Sequence, residues 1–237
     1  MGHSTKREDR LTLSVIIPVF NEQETVAASI DRVLMQVFVD EVIVVNDGST
    51  DLTAQVLSRL NDERVHVLSH PVNRGKGAAI RTAIPHVHSD AVVIQDADLE
   101  YDPADIQRLL GPIEDGLADV VYGSRFVTGE SRRVLLYWHS LGNRVLTTLT
   151  NMVADINLTD METCYKVFRT DLLRSIRLQE DRFGFEPEVT IKVAKSRARM
   201  FEMGISYSGR TYSEGKKIGW KDGISALRCI VQYKFSK

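Results

Sequence analysis

The stretch Leu13–Val19, LSVIIPV, is a compact apolar run rich in β-branched residues. Such a run is typical of a strand that is buried on both faces of a parallel sheet. Similar runs recur at Glu41–Val45, Val65–Ser69 and Ala91–Ile94, and helix-forming segments separate them. Strands that alternate with helices predict an α/β fold, with a mostly parallel central sheet flanked by helices. Its ligands are expected at the carboxyl ends of the strands.

The rest of the chain predicts further elements of both kinds. We expect strands at Asp119–Tyr122, Lys166–Arg169 and Arg199–Tyr207. The predicted helices cover approximately residues 24–36, 78–84, 135–153, 187–196 and 224–235. Two further helices are expected: one is capped by a residue within 49–51 and runs to about residue 60, and the other begins near residue 103. Because no linker rich in Pro, Gly or Ser and no internal repeat divides the chain, we predict a single domain over residues 11–237 after a flexible tail, 1–10.

Composition excludes several classes of protein. The 237 residues are 43% hydrophobic and 26% charged, which is ordinary for a soluble globular domain. The two distant cysteines, Cys164 and Cys229, predict no disulfide framework or zinc site and suggest a reducing compartment. The longest apolar run falls far short of the roughly 20 residues of a membrane helix, and the polar N-terminus resembles no signal peptide. We therefore expect a chain that does not span a membrane.

The net charge of −2 is unevenly distributed. Residues 192–237 hold eleven Lys and Arg against three acids, a net of +8, which leaves −10 for residues 1–191. The stretch 131–154 carries Arg, His, Tyr and Trp but no acid. Such asymmetry suggests an anionic partner, although on charge alone a solvated basic face is the commoner explanation.

A group of carboxylates, Asp96, Asp98 and Glu100, directly follows the predicted strand Ala91–Ile94. Alternate residues at a strand end point to one side, so these side chains are expected to converge. Carboxylates bind hard cations such as Mg²⁺ and Mn²⁺, which bridge phosphate oxygens. Taken alone, a solvated acidic turn is the commoner explanation of such a pattern.

Other strand exits place polar residues at the same predicted edge. Asn21 and Glu22 follow the first strand, Asp47 follows the second, and the segment 73–77, NRGKG, adds cations and flexible backbone. Considered singly, Asp47 and Asn21 are each explained adequately as helix-capping residues. Together the exits predict a crevice suited to a phosphate or diphosphate, although the P-loop spacing is missing.

At this point the sequence resembles the GT-A glycosyltransferases of family 2, whose fold is Rossmann-like. The matching motifs in the first half are SVIIPVFNE (14–22), VIVVNDGSTD (42–51), NRGKGAA (73–79), DADLEYDP (96–103) and GSR (123–125). The second half resembles the polyprenyl-phosphate (dolichol-phosphate) mannose and glucose synthases in TDMETCYKVFR (159–169), FGFEPE (183–188) and GRTYSEGKKIGWKDG (209–223). The resemblance implies a nucleotide-sugar half, 11–125, and an acceptor half, 126–237.

The resemblance also implies roles for individual residues. Asp96 and Asp98 would bind the metal with Glu100, which stands where many relatives carry Gln, and Asp98, Arg125 and Glu186 would be catalytic. Arg210 and Lys217 match the basic pair of a loop that covers the donor, although this loop is one residue longer here. The residues expected to contact the nucleotide sugar or its metal are Pro18, Phe20, Asn21, Glu22, Asp47, Lys76, Asp96, Ala97, Asp98, Arg125, Arg210 and Lys217.

The implied reaction is the metal-dependent, inverting transfer of a hexose from a nucleotide sugar to polyprenyl phosphate. GDP-mannose and UDP-glucose are the leading donors and a UDP-N-acetylhexosamine is a third. A phosphate acceptor is already ionised and needs no base. A saccharide or protein hydroxyl acceptor is the alternative, and there replacement of Glu186 or Glu188 would abolish transfer. A nucleotide-binding module without catalysis is a further alternative.

A lipid acceptor implies contact with a membrane. We expect a cytoplasmic protein associated peripherally with the cytoplasmic face of a membrane, with no nucleic-acid partner. The acid-free stretch 131–154, with Tyr137 and Trp138, is the candidate interfacial surface, although a helix packed inside the domain explains the same residues.

Overall fold

A computed structural model describes residues 10–127, 131–134, 136–210 and 220–235, and it contains a seven-stranded sheet with helices around it. The strands are β1 (Leu13–Val19), β2 (Glu41–Asn46), β3 (Val65–Ser69), β4 (Ala91–Ile94), β5 (Val120–Ser124), β6 (Lys166–Arg169) and β7 (Met200–Gly204). The helices are α1 (Val26–Leu34), α2 (Thr53–Leu57), α3 (Lys76–Ala83), α4 (Asp105–Glu114), α5 (Tyr137–Ala154), α6 (Thr170–Ser175), α7 (Phe185–Lys195) and α8 (Trp220–Lys234), and a short 3₁₀ helix covers Ile84–His86.

The sheet has the strand order β3-β2-β1-β4-β6-β5-β7. Strand β6 is antiparallel to both of its neighbours, and the other strand pairs are parallel. The predicted α/β fold with a mostly parallel sheet is therefore confirmed. The chain leaves β1 on one side toward β2 and returns on the other side as β4, so the carboxyl ends of these strands border one crevice.

The core follows directly from the apolar runs. In β1, β2 and β4 every residue except the half-buried Pro18 is buried, as expected for strands covered on both faces. Strand β3 lies at the edge and is largely exposed. A smaller cluster of Ile191, Cys229, Ile230 and Tyr233 joins α8 to α7 and the C-terminal half of α5. Both cysteines are free and buried.

Several predicted boundaries differ from the structure. The helix predicted to run to residue 60 ends at Leu57. Helix α6 was not predicted, because its six residues are too few to show a repeating helical pattern of apolar residues. The strand predicted for Arg199–Tyr207 ends at Gly204, and Tyr207 forms isolated bridges to Tyr101 and Arg132 instead. The division of the chain into halves after residue 125 stays a prediction.

Candidate active site

The ends of β1 and β2 are joined by side-chain hydrogen bonds at one rim of the crevice. The backbone N–H of Asn21 donates to Ser49 Oγ at 3.0 Å, and Asn21 Oδ1 accepts from the Thr50 N–H at 2.8 Å. The Glu22 N–H donates to Thr53 Oγ1 at 3.0 Å. Asn21 has a φ of 52°, in the left-handed region where Asn is tolerated. Phe20 beside it is 37% exposed, as a residue that faces a ligand can be.

Asp47 at the end of β2 is buried and holds the 70–75 segment. Its Oδ1 lies 2.6 Å from His70 Nδ1 and accepts from the Arg74 N–H at 2.9 Å. Its Oδ2 accepts from the Gly75 N–H at 2.7 Å and from Asn73 Nδ2 at 3.0 Å. These four contacts use the acceptor capacity of the carboxylate. Direct contact between Asp47 and the nucleotide stays a prediction, and it would require Asp47 to exchange one of these four contacts for a contact with the nucleotide.

Gly75 sets the start of α3 and thereby the position of Lys76. Its φ is 104°, and a Cβ atom at this position would lie 2.4 Å from the Asp181 carbonyl oxygen, so a larger residue is excluded. Lys76 Nζ lies 2.9 Å from Asp96 Oδ1 and 3.1 Å from Glu186 Oε1. Burial alone would lower the pKa of Lys76, but these carboxylates, Asp96 foremost, raise it well above its ordinary value. Lys76, a cation predicted to bind a phosphate, therefore contacts two acids of the predicted site, Asp96 and Glu186.

The carboxylates after β4 converge, but through a turn. The strand ends at Ile94, and Leu99 adopts a left-handed φ of 63°, so strand alternation is the wrong reason for their convergence. Asp98 Oδ1 accepts from the Glu100 N–H at 3.1 Å, and Ala97 is buried beneath the turn. Burial, followed by the negative charges of Asp96 and Glu100, raises the pKa of Asp98 to about 7. The turn therefore concentrates negative charge.

Arg210 lies against these carboxylates. Its Nη2 is 3.3 Å from Asp98 Oδ2, its Nε is 3.3 Å from Glu100 Oε1, and Nη2 is 3.6 Å from Glu22 Oε1. Glu100 also accepts hydrogen bonds from the Tyr207 hydroxyl and, at 2.9 Å, from the Arg210 N–H. The strands β1 and β4 and the segment after β7 therefore meet at Arg210. Lys217, predicted as its partner, lies outside the described residues.

The predicted donor set for a divalent cation is Asp96, Asp98 and Glu100, and metal binding by these residues stays a prediction. No group of three His, Cys, Asp or Glu side chains with metal-binding geometry occurs among the residues that the structure describes. A Mg²⁺ ion is commonly bound by one or two carboxylates plus substrate phosphates, and the negative charge around Asp98 fits that arrangement. Glu100 as a third ligand stays a prediction, and it would have to release Tyr207 or Arg210.

Arg125 at the end of β5 is fixed by a two-pronged ion pair with Asp160. Arg125 Nε lies 2.7 Å from Asp160 Oδ2, and Nη2 lies 2.8 Å from Oδ1. Asp160 is fully buried and also accepts from the Arg125 N–H and from Asn143 Nδ2, each at 3.0 Å. Burial would raise the pKa of Asp160, but the charge of Arg125 and these hydrogen bonds hold it below its ordinary value. The guanidinium is therefore held in one orientation.

Two residues that support Arg125 were not predicted. The ring of Tyr207 lies under the guanidinium, with Arg125 Cζ 5.1 Å from the ring centroid. Asn143, on α5, reaches Asp160 across the fold. No sequence motif marks either residue, because each contributes through an approach between segments that are distant in the chain.

The acids of the first turn of α7 have different surroundings. Glu186 contacts Lys76 in the candidate site, and its predicted catalytic role stays a prediction. Glu188 is fully buried and accepts from the backbone N–H groups of Gln179 and Glu180, each at 2.7 Å, and from Lys192 Nζ at 2.6 Å. Glu188 therefore holds the segment that leads into α7.

This difference predicts the outcome of Glu188→Gln. The amide keeps one acceptor oxygen, so a backbone N–H and Lys192 lose charge-assisted hydrogen bonds to Glu188, and we expect the free energy of unfolding to fall by about 2–3 kcal/mol. In a chain of this size the melting temperature should fall by roughly 4–12 °C. Calorimetry measures the change, and Glu114→Gln on the exposed end of α4 is the control. An unchanged melting temperature with lost transfer would assign Glu188 to chemistry instead.

Helices α5 and α8 each expose a stripe of apolar side chains. On and just before α5 the stripe has helical spacing, and Val134 and Trp138 are 93% and 77% exposed. We call these stripes the apolar surface; its members are Val134, Leu136, Tyr137, Trp138, Leu141, Val145, Ile224, Leu227, Val231 and Phe235. The exposed Arg132, Arg133 and Arg144 lie in the same segment as the α5 stripe. Among the described residues, no helix combines the length and apolar character needed to cross a bilayer.

Comparison with known proteins yields consistent matches in sequence and structure. Residues 14–177 match the family model described as glycosyl transferase family 2. The chain is 31% identical over 220 residues to an undecaprenyl-phosphate mannosyltransferase of Micrococcus luteus, covering 86% of each protein. It is 27% identical to a polyprenol monophosphomannose synthase of Mycolicibacterium smegmatis, with 91% of this chain and 84% of the relative covered.

A similar fold occurs in glucosyl-3-phosphoglycerate synthase from Mycobacterium tuberculosis, solved in complex with Mn²⁺, UDP and glucosyl-3-phosphoglycerate. The TM-score is 0.72 at 21% sequence identity, over 94% of this chain and 80% of that one. At this identity the similarity establishes the fold alone.

Proposed function

Because the chain belongs to glycosyl transferase family 2 and has the GT-A fold, we propose that it transfers a hexose from a nucleotide sugar to a polyprenyl phosphate. The proposal includes a divalent metal, Mg²⁺ or Mn²⁺, and inversion at the anomeric carbon. The names of two relatives include mannose, which favours GDP-mannose over UDP-glucose and UDP-N-acetylhexosamines as the first donor to test. The expected family and the identification as a glycosyltransferase are confirmed.

The observation that carries the proposal is a pair of neighbouring charge centres that Tyr207 links, since its hydroxyl donates to Glu100 and its ring lies against Arg125. One centre contains Asp96 and Asp98 with Arg210, and the other contains Arg125 fixed on Asp160. A nucleoside diphosphate and a lipid phosphate are two anions that must approach each other, and fixed cations stabilise such an arrangement. Arg125 offers a pre-oriented guanidinium for the phosphate acceptor.

The proposed step is a single displacement. An oxygen of the acceptor phosphate forms a bond to the anomeric carbon while the bond from that carbon to the diphosphate oxygen breaks, and the electron pair leaves with the nucleoside diphosphate. A metal ion, held by Asp96 and Asp98, would supply neutralisation of the diphosphate charge. Arg210 would add its charge on the same side, and Arg125 would orient the acceptor. Because the acceptor is already ionised, the step needs no base, in agreement with the structural use of Glu188.

An extraction assay tests this function. The protein is incubated with Mn²⁺, polyprenyl phosphate and, in turn, radiolabelled GDP-mannose, UDP-glucose and UDP-N-acetylglucosamine. We expect label from one donor to enter the organic phase. Label that enters a water-soluble saccharide or protein instead would support a hydroxyl acceptor, and no transfer from any donor that binds would support a binding module.

We further propose that the apolar surface on α5 and α8 contacts the cytoplasmic face of a membrane, with Arg132, Arg133 and Arg144 near anionic headgroups. Burial of a large apolar side chain contributes about 1.5–3 kcal/mol, so Trp138→Ser should lower the affinity for vesicles by at least about tenfold. Co-sedimentation with vesicles of phosphatidylcholine and phosphatidylglycerol measures this effect. The control is Val37→Ser, at a similarly exposed apolar residue between α1 and β2. Equal binding by wild type and both variants would refute the assignment of this surface.

A further inference from the structure

Two buried carboxylate oxygens in the candidate site accept no hydrogen bond from any described residue. They are Oε1 of Glu162 and Oε2 of Glu186. Glu186 is only 4% exposed, so bulk water has little access to form a hydrogen bond with this oxygen. Buried polar atoms in folded proteins almost always have a partner, and an exception near an active site calls for an explanation. A bound ligand with hydrogen-bond donors is one such explanation.

The two carboxylates neighbour the charge centres of the site. The second oxygen of Glu186 contacts Lys76, which in turn contacts Asp96 on the diphosphate side. Glu162 lies in the segment between Asp160 and β6, and its charged neighbours include Glu186, Lys166, Arg125 and Asp160. Because Glu162 is only two residues from Asp160, the ion-pair partner of Arg125, it lies on the Arg125 side. In the proposed reaction the hexose occupies the space between the diphosphate and the acceptor phosphate.

We propose that Glu162 and Glu186 form the hexose-binding part of the site and that their unpaired oxygens accept hydrogen bonds from sugar hydroxyl groups. The chemistry selects this ligand, because hexose hydroxyls are neutral groups that both donate and accept hydrogen bonds, whereas the carboxylate of Glu186 would repel a phosphate. Burial, and next the charge of Glu186, raises the pKa of Glu162 to about 8, so Glu162 can also donate a hydrogen bond to the sugar at neutral pH. The assignment rests on the proposed nucleotide-sugar function and names the groups that select the sugar.

The test compares binding of a nucleotide sugar with binding of its nucleoside diphosphate. For the donor that the extraction assay identifies, or for GDP-mannose and UDP-glucose if none is transferred, calorimetry measures both affinities in wild type, Glu162→Ala and Glu162→Gln. Loss of one hydrogen bond to a charged or strongly polarised group corresponds to roughly a 10- to 100-fold change in affinity. We expect Glu162→Ala to lose about that factor for the nucleotide sugar and to bind the nucleoside diphosphate as wild type does.

The isosteric variant and a modified donor sharpen the result. Glu162→Gln keeps a donor and an acceptor, so it should bind the nucleotide sugar within a few-fold of wild type. A deoxy donor that lacks the recognised hydroxyl should bind equally to wild type and to Glu162→Ala. The control is Glu63→Ala, at an exposed position between α2 and β3.

Two results would overturn the assignment. One is equal loss of affinity for the nucleotide sugar and the nucleoside diphosphate in the folded variants, which would indicate a general structural role. The other is full affinity of Glu162→Ala for the intact nucleotide sugar, which would indicate that Glu162 and Glu186 share a proton without contact to the sugar. Either can occur while the extraction assay succeeds, so failure of this assignment is distinct from failure of the proposed function.

Discussion

Arg125→Lys should lower kcat/KM for hexose transfer by at least about a hundredfold, although it keeps the positive charge. The guanidinium uses Nε and Nη2 on the buried carboxylate of Asp160, and this two-pronged contact sets the direction in which the charge faces the crevice. A lysine ammonium is a point charge on a flexible stem, so it cannot bind Asp160 in the same way and hold that direction. The steady-state rate at varied polyprenyl phosphate concentration measures the loss, normalised to the folded fraction from circular dichroism.

The chain contains a matched control for this substitution. Arg199 also forms a two-pronged ion pair, with Nε 3.0 Å and Nη2 2.6 Å from the carboxylate oxygens of Asp119. That pair is exposed and lies at the amino end of β7, away from the crevice. Arg199→Lys should therefore leave the rate within about twofold of wild type, as is usual for a surface pair. Near-normal transfer by Arg125→Lys would exclude the role proposed for the guanidinium.

The second large effect is expected for Asp98→Asn, which should reduce transfer by about a thousandfold or more and abolish its dependence on Mg²⁺ or Mn²⁺. The same variant should be more stable than wild type in the absence of a metal. Burial and the neighbouring Asp96 and Glu100 raise the pKa of Asp98 to about 7, whereas an unfolded chain has an ordinary value. Ionisation of Asp98 thus lowers the free energy of unfolding as the pH rises from about 4 to 7, and the neutral Asn side chain removes this destabilisation.

Activity and stability should therefore move in opposite directions in Asp98→Asn. Thermal unfolding at pH 5 and pH 8 in EDTA measures the stability effect, and the difference between variant and wild type should be larger at pH 8. Asp102→Asn is the control, because Asp102 is half exposed and pairs with Arg32 at 3.5 Å on the surface. Retained metal-dependent transfer by Asp98→Asn would remove Asp98 from the donor set.

Much of the fold is predictable from the sequence, because burial on both faces of a parallel strand requires a continuous apolar run. The bounds of β1, β3, β4 and β6 agree with the predicted strands. The antiparallel orientation of β6 between β4 and β5 is not predictable in this way, because the residue pattern of a short strand does not indicate its direction in the sheet. Its orientation depends on the path of the chain through α5, which leaves no local signal.

The sequence by itself determined which strand ends carry polar residues, and the tertiary structure decided what those residues contact. Motif order predicts that Asp96, Asp98 and Arg125 belong to one site, and their common role stays a prediction. The pairing of Lys76 with Asp96 and Glu186, and of Glu100 with Tyr207 and Arg210, appears only in the folded chain. The physical reason is separation along the chain: these partners are up to 110 residues apart, and packing of the helices on the sheet brings them within hydrogen-bond distance.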